Sequence, residues 1–349
     1  MEKVLTILIP VYNTEKYIKR CLDSVLLKET NDKVEVIVVS DGSKDKSINI
    51  AKEYAEKYPN TLKIIEKENG GHGSTINKGL EIASGKYFRV LDSDDWFNSI
   101  DYIKYIKKLS KETADLVITN YSQEHVYNGK SDYKKYELLE ENKMYKFDEF
   151  DLSLLKGEYF VMATSTYKTS LLKKSQLKLM EKTFYVDMQY NLIPIKEVET
   201  FTYYDLDIYR YFIGRADQSV NTASMVKNKN DHEKVLKYMI DFYESQKPEL
   251  SEIKKEYIKV IINYTLFTHY NIFCRYAVNN KDSYNKIKSF DNYLKNNSPE
   301  LYKVSDSMSF TRAHRKTNFI FVKHFGKLFN KSLVLLSKLN RRFKWKRRF

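Results

Sequence analysis

The sequence predicts an α/β protein, a mostly parallel, Rossmann-like central sheet with flanking helices, followed by a C-terminal helical region. Three observations predict it. Up to about residue 120, short β-branched runs alternate with longer amphipathic ones, the pattern of strand–helix–strand units. One run, Val34-Glu35-Val36-Ile37-Val38-Val39, is apolar almost throughout, as suits a strand covered on both faces. From Asp231 onward the alternation stops and helical spacing takes over.

In chain order, strands read at residues 4–10, 34–40, 62–66, 87–91 and 116–120, and helices at 15–27, 46–58, 74–83 and 99–109. The first four strands end in polar or turn residues, at 10–13, 40–43, 69–73 and 92–96. Parallel sheets bind ligands beyond the carboxyl ends of their strands, so these four clusters share one rim. A hairpin around Asn128 and Gly129, a helical stretch near 147–155 and an aromatic-rich segment at 159–220 follow. Helices then read at 231–245, 250–274 and 282–296, ahead of a basic tail. The uncharged stretch 260–274 is interrupted by Asn263, Thr265, Thr268, His269 and Asn271, too short and too polar for a membrane span. The domain division expected is 1–220, 221–310 and 311–349.

The 349 residues suit one large domain with appendages, or two domains. With 42% apolar and 30% charged residues, 10 Gly and 5 Pro, the chain is neither collagen-like nor disordered. Cys21 and Cys274 lack CxxC spacing, so no disulfide framework or zinc site is indicated and a reducing compartment is the default. Residues 1–10 run into a strand without a small-residue cleavage site, so no signal peptide is expected. The net charge is +14, but residues 311–349 hold thirteen Lys or Arg and no Asp or Glu, leaving +1 on everything before them. The body is nearly neutral, and no nucleic-acid partner is expected.

Asp92-Ser93-Asp94-Asp95-Trp96 follows an apolar strand. Carboxylates crowded at a strand end need compensation, and a hard divalent cation with phosphate oxygens is the natural partner. The competing reading is a turn in which Asp94 or Asp95 caps the helix near Ser99. Ser40-Asp41-Gly42-Ser43 places a carboxylate and a Gly turn at the second strand end, where Asp41 can accept the imide N–H of a uracil or thymine ring, with Asp45 or Ser43 capping the next helix.

Five motifs in register over about the first 100 residues, Pro10 to Ile18, Val39 to Ser43, Asn69-Gly70-Gly71 with Asn77-Lys78-Gly79-Leu80, Ser84 to Tyr87, and Asp92 to Trp96, resemble the inverting family 2 glycosyltransferases of the GT-A fold. The resemblance implies a nucleotide-sugar donor, with Pro10, Val11 and Tyr12 around the base, Asp41 reading it, Asn69, Gly70 and Ser93 lining the site, and Asp92 and Asp94 holding ribose and a Mg2+ or Mn2+ ion. Asp95 can share the metal, and spacing does not choose between them. More loosely, residues 184–194 resemble the segment that supplies the catalytic base, which implies Asp187. Residues 209–220 resemble the strand and loop that close over the diphosphate, implying Arg215, Gln218 and Ser219 as contacts. Arg210 and Arg215 read equally as surface ion-pair partners. One departure is clear: relatives often carry Arg just before the motif Asn, and here Ile76 precedes Asn77. Either His72 or Lys78 stands in near the phosphates, or His72 is an exposed loop residue.

The implied chemistry is a single displacement that inverts the sugar, hexosyl or N-acetylhexosaminyl, giving a β-linkage from an α-linked donor. A nicotinamide dehydrogenase would need GxGxxG after the first strand, and a nucleotidyltransferase a Gly-rich basic loop there; the chain has Pro10-Val11-Tyr12-Asn13-Thr14 instead. A non-enzymatic adaptor leaves the strand-end motifs unexplained. In the tail, Phe321, Phe325, Leu328, Phe329, Leu335, Leu336, Leu339 and Phe343 recur mostly at steps of three and four among Lys and Arg. That pattern suits an interfacial helix on anionic lipid, the alternative being a helix packed on the body. A cytoplasmic enzyme, peripheral on the inner face of the membrane, with a glycan or lipid-linked glycan acceptor is the resulting expectation.

Overall fold

The computed structural model describes residues 2–214, 218 and 221–332. These divide into two compact units: one holds the residues up to Gln218 together with Gln246–Val260, and the other holds the rest. Residues 246–260, expected within the helical region, belong to the first unit.

The first unit begins β1 (Leu5–Val11), α1 (Ile18–Val25), β2 (Val34–Asp41), α2 (Ser47–Lys57), β3 (Leu62–Lys67), α3 (His72–Ile82) and β4 (Tyr87–Val90). These alternate as the sequence predicts. Every residue of β1 and β2 is buried, because helices cover both faces: α1 packs Ile18, Cys21, Leu22 and Val25 on one, and α3, whose Gly79 lies against Leu8, covers the other. The four strands are parallel in the order β3-β2-β1-β4, with Val11 opposite Ser40 at the rim.

Beyond β4 the sheet is mixed. β5 (Trp96–Phe97), α4 (Ser99–Leu109), β6 (Leu116–His125), β7 (Ser131–Lys134), β8 (Met144–Lys146), β9 (Ser165–Lys168), α5 (Thr169–Lys174), α6 (Asp187–Leu192) and β10 (Thr200–Ile213) complete it. β9 lies between β4 and β6, antiparallel to both; β10 is parallel to β6 and antiparallel to β5 and β8. The hairpin at Gly129 joins β6 to β7, its tip using φ 63 at that glycine. The strand expected to start near 209 starts at Thr200 and bends, its register against β6 shifting between Tyr203 and Tyr209. Around 147–155 the helical stretch is two short 3₁₀ turns, Phe147–Glu149 and Leu152–Leu155. Asn98, rather than Asp94 or Asp95, caps α4 by accepting the N–H groups of Ile100 and Asp101.

The second unit contains α7 (Thr222–Lys227), most of α8 (Lys229–Gln246), the later part of α9 (Glu252–Asn271), α10 (Lys281–Asn297), α11 (Pro299–Ser305), α12 (Ser309–Lys316) and α13 (Ile320–Lys323). The residues expected to open a separate tail are built into it. Thr311 and His314 are buried, and Arg315 donates to Asp291 at 2.8 Å while lying 3.7 Å over the Tyr302 ring. Phe325 and Leu328 remain 72% and 68% exposed, while Leu335, Leu336, Leu339 and Phe343 lie outside the described residues. No helix among the described residues is long and apolar enough to cross a membrane.

Candidate active site

The carboxyl ends of β1, β2 and β4 and the start of α3 form the rim, and a set of backbone clamps shapes it. Pro10 and Val11 are buried in β1, whereas the Tyr12 ring beyond them is 51% exposed. Asn13 and Ser43 tie the two strand ends together, Asn13 N–H donating to Ser43 Oγ at 3.2 Å and Lys44 N–H to Asn13 Oδ1 at 2.8 Å. Asp45 accepts the Ser47 N–H at the start of α2.

Asp41, at the end of β2, faces inward. Its Oδ1 accepts from Gly70 N–H at 2.8 Å, Lys67 Nζ at 2.9 Å and Ser74 Oγ at 3.3 Å, and its Oδ2 from Gly71 N–H at 2.8 Å. Burial alone would raise its pKa, but these donors hold it below the ordinary carboxylate value. Asp41 therefore fixes the loop before α3 and keeps acceptor capacity on Oδ2 alone. Asn69 Nδ2 closes the same loop on the Asp41 carbonyl at 3.0 Å. Gly70 has no room for a Cβ, which would fall 2.6 Å from Ser74 Oγ.

The acidic turn after β4 separates its carboxylates. Asp95 is fully buried, Oδ2 accepting from Tyr209 O–H at 2.6 Å and Oδ1 from Phe212 N–H at 2.8 Å. Burial, reinforced by the charges of Asp94 and Asp92, pushes its pKa well above the usual range. The expected share of Asp95 in metal binding is corrected accordingly, because both of its oxygens are engaged on β10 and none faces solvent. Asp92, by contrast, has a side chain 30% exposed, and Asp94 is likewise partly exposed. Ser93 between them is buried. Arg20, which the sequence did not single out, locks the turn from α1. Its guanidinium lies 3.6 Å from the Trp96 ring centroid and 4.5 Å from that of Phe212, and donates to the Asp94 carbonyl at 2.9 Å. On α1 Arg20 falls away from the buried face of Ile18, Cys21, Leu22 and Val25, on the side of Lys19 and Asp23, so no local pattern marked it.

Asp187, the first residue of α6, is brought to this turn by long-range clamps. Asn77 on α3 exchanges two hydrogen bonds with the Leu179 backbone, and Lys182 N–H donates to the Gly70 carbonyl at 2.5 Å. Gly73 permits the approach: a Cβ there would lie 2.2 Å from the Met180 carbonyl oxygen. Burial raises the Asp187 pKa, the nearby His72 charge opposes this and Asp92 adds to it. His72 feels the charge of both acids, and its Nε2 is 2.9 Å from Asp92 Oδ1. Burial would lower its pKa, but Asp92, then Asp187 and Asp94, raise it overall.

Other candidates fall elsewhere. Lys78 pairs with Glu81 at 2.9 Å, and Arg210 pairs with Glu124 at 2.9 Å and Asp207 at 2.8 Å. Gln218 accepts from Gly214 N–H at 2.7 Å and donates to the Phe212 carbonyl at 2.6 Å, closing the chain after β10. Arg215 and Ser219 lie outside the described residues.

Among the described residues, no group of three or more His, Cys, Asp or Glu side chains is placed to hold a metal ion by itself. Asp92 and Asp94, partly exposed at the rim, are hard oxygen donors of the kind that a Mg2+-type ion takes together with phosphate oxygens and water.

The family model for Glycosyl transferase family 2 matches residues 6–175, which include the rim and the acidic turn but not Asp187. EpsH of Bacillus subtilis (strain 168) is 45% identical over 127 residues, 36% of this chain and 36% of that protein, so the match spans about a third of EpsH. Among solved structures, S. aureus TarS 1-349 in complex with UDP-GlcNAc aligns with TM-score 0.65 at 17% identity, covering 94% of this chain and 92% of that one. The mannosyltransferase PcManGT from Pyrobaculum calidifontis, in complex with GDP-Man and Mn2+, aligns with TM-score 0.50 at 14% identity, covering 91% and 88%. The parallel half-sheet, its acidic strand-end turn and the matched residues agree: residues 6–175 form a family 2 glycosyltransferase domain, on a GT-A fold shared with TarS.

Proposed function

We propose that the protein transfers a sugar from a nucleoside-diphosphate sugar, with UDP as the nucleotide, to a hydroxyl of a glycan or lipid-linked glycan, inverting the anomeric carbon. The observation that carries this reading is the convergence of Asp187 on His72 and Asp92, about a hundred residues upstream in the chain. It sets a carboxylate with a raised pKa beside the acidic turn, as acceptor activation next to a donor site requires. TarS, solved with UDP-GlcNAc on the same fold, supports UDP as the nucleotide and a hexosyl or N-acetylhexosaminyl group as the cargo.

In this reading Pro10, Val11 and Tyr12 border the base, and Asp41, Asn69 and Gly70 form the loop that receives it. Asp92, Ser93 and Asp94 carry the ribose and diphosphate side. A divalent cation, Mg2+ or Mn2+, bound to Asp92 and Asp94 supplies Lewis-acid stabilisation of the leaving diphosphate. Asp187 takes the proton of the acceptor hydroxyl on the face opposite the leaving group, and its raised pKa makes it the stronger base. Arg215, Gln218 and Ser219 belong to the chain segment that covers the diphosphate. The basic C-terminal residues hold the enzyme to anionic lipid at the inner face of the membrane, where a lipid-linked acceptor resides.

A panel of nucleotide sugars, each incubated with the protein and Mg2+ or Mn2+, tests the reading through slow donor hydrolysis. Release of UDP from one or two UDP-sugars, abolished by EDTA, is the expected result. Equal, EDTA-insensitive background across the panel would refute it.

A further inference from the structure

The aromatic and leucine residues that the sequence sets along one stripe part company in the helical unit. Phe321 and Phe329 turn inward, their ring centroids stacked 4.0 Å apart, and Phe329 also lies 5.1 Å from the ring of the buried His314. Phe325 and Leu328 turn outward, more exposed than any other large apolar side chain among the described residues of that unit.

They are carried on fixed backbone. Gly326 N–H donates to Asn279 Oδ1 at 2.8 Å, Asn330 Nδ2 donates to the Cys274 carbonyl at 2.8 Å, and a Cβ on Gly326 would fall 2.6 Å from Val278 Cβ. Phe325 holds φ 57, a left-handed conformation that is costly for a bulky residue. The same contacts bring a second stretch of chain to this corner, where Arg275 and Tyr276 are both exposed.

Charge around the apolar pair is of one sign. Lys323, Lys327 and Lys331 flank it in the chain, Arg275 joins from the second stretch, and residues 311–349 hold no Asp or Glu. Asp282, near the start of α10, is taken by Lys286 at 3.4 Å and Lys229 at 4.0 Å. Directly after Ser332 the sequence continues with seven more Lys or Arg among Leu335, Leu336, Leu339 and Phe343.

Apolar tips ringed by basic residues match an anionic lipid surface, whose acyl boundary takes the tips and whose headgroups take the charge. A second copy of the chain is a poorer match, because a two-fold contact through this face would set the same four cations against each other. Resting on the membrane reading above, we propose that Phe325 and Leu328 insert into the headgroup–acyl boundary of an anionic bilayer, while Arg275, Lys323, Lys327 and Lys331 hold its headgroups. This insertion adds to the attraction exerted by the basic residues past 332, and neither contribution suffices alone.

The test is sedimentation of the full chain with mixed phosphatidylglycerol–phosphatidylcholine vesicles. Phe325→Ser combined with Leu328→Ser keeps every charge and should weaken partitioning about 10- to 100-fold, with the thermal midpoint nearly unchanged because both side chains are exposed. Undiminished partitioning of that variant overturns the proposal and leaves the electrostatic membrane reading standing. A depth measurement accompanies it: Cys21 and Cys274 are buried, so a polarity-sensitive fluorophore on Leu328→Cys reports from one site. Its emission should shift to the blue on vesicles and be quenched by spin-labelled acyl chains. Water-like emission from vesicle-bound protein overturns the proposal, whether or not the double variant folds. A wild-type dimer that forms without vesicles and is dissociated by the double substitution also overturns it, assigning the face to a second copy. Wild-type protein that ignores anionic vesicles refutes the membrane reading itself, and this proposal with it.

Discussion

Asn77 and Leu179 exchange two hydrogen bonds, Asn77 Nδ2 donating to the Leu179 carbonyl at 2.9 Å and Leu179 N–H to Asn77 Oδ1 at 2.8 Å. One side chain on α3 thus substitutes for a strand partner and pins the segment that leads into α6. The consequence lies eight residues further on, where Asp187 comes within electrostatic range of His72 and Asp92.

Asn77→Ala should therefore act at a distance. We expect kcat to fall by roughly 10- to 100-fold, because a misplacement on the order of 1 Å is enough for such a loss, with UDP affinity within about threefold of wild type. Steady-state kinetics paired with calorimetry measure both. An unaltered kcat would show that α6 holds its place without the clamp.

Asp187→Asn keeps the shape of the side chain and removes its basicity. Transfer should drop by roughly two to four decades while donor binding persists. Near-normal turnover would assign the proton to another residue.

Asp94 and Asp95 are neighbours with opposite predicted phenotypes. Asp94→Asn should abolish the Mg2+-dependent part of UDP binding and leave the thermal midpoint nearly unchanged. Asp95→Ala should do the reverse first: it strands the Tyr209 hydroxyl and the Phe212 N–H, a loss of about 2–4 kcal/mol in stability seen as a lower midpoint. Equal stability of the two variants would contradict the assignment of Asp95 to the β10 clamp.

The helical unit carries a pH dependence of its own. His232 and His269 stack with Nδ1 atoms 3.3 Å apart, both buried. Burial lowers His232 to about 4, and burial with the His232 charge takes His269 well below its ordinary value. Between about pH 4 and 6.5 the unfolded chain then binds more protons than the folded one. Stability should rise with pH through that window, by roughly 2–3 kcal/mol from His232 alone with His269 adding to it, and level off above it. Urea titrations from pH 4 to 8 measure the slope, and replacing both residues by Leu should reduce it, the remainder belonging to His314, which burial likewise lowers to about 4. A profile independent of these substitutions would remove the pair from the account.

Truncation separates membrane contact from folding. A protein lacking residues 333–349 loses seven of the thirteen basic residues in 311–349 and should no longer sediment with anionic vesicles, yet should retain its stability and its action on a soluble acceptor. Cutting at 311 also removes Arg315 from Asp291, Tyr270 and Tyr302, and should destabilise the helical unit. Vesicle binding that survives the shorter truncation, or that ignores salt, would place the contact elsewhere.

The parallel half of the sheet was legible because its information is local. Runs such as residues 34–39 are buried on both faces and followed by turns, so spacing alone gives strand, helix and rim, and the motifs at 40–43, 69–73 and 92–96 fall on that rim as a matter of topology. The insertion of β9 antiparallel between β4 and β6 was not legible, since a period of two fixes which side chains share a face but not which strand lies alongside or in what direction.

Within the candidate site the division runs the same way. That Asp92, Asp94 and Asp95 crowd one turn follows from the sequence. That Asp95 is turned inward follows from Tyr209, 114 residues later, and no local pattern contains that partner. Likewise Arg315 reads as one basic tail residue among thirteen until Asp291 and Tyr302 claim it. Spacing determined which groups could meet at the rim. Only tertiary packing decided which carboxylates kept access to solvent, because a charge stays at the surface unless distant donors replace its water.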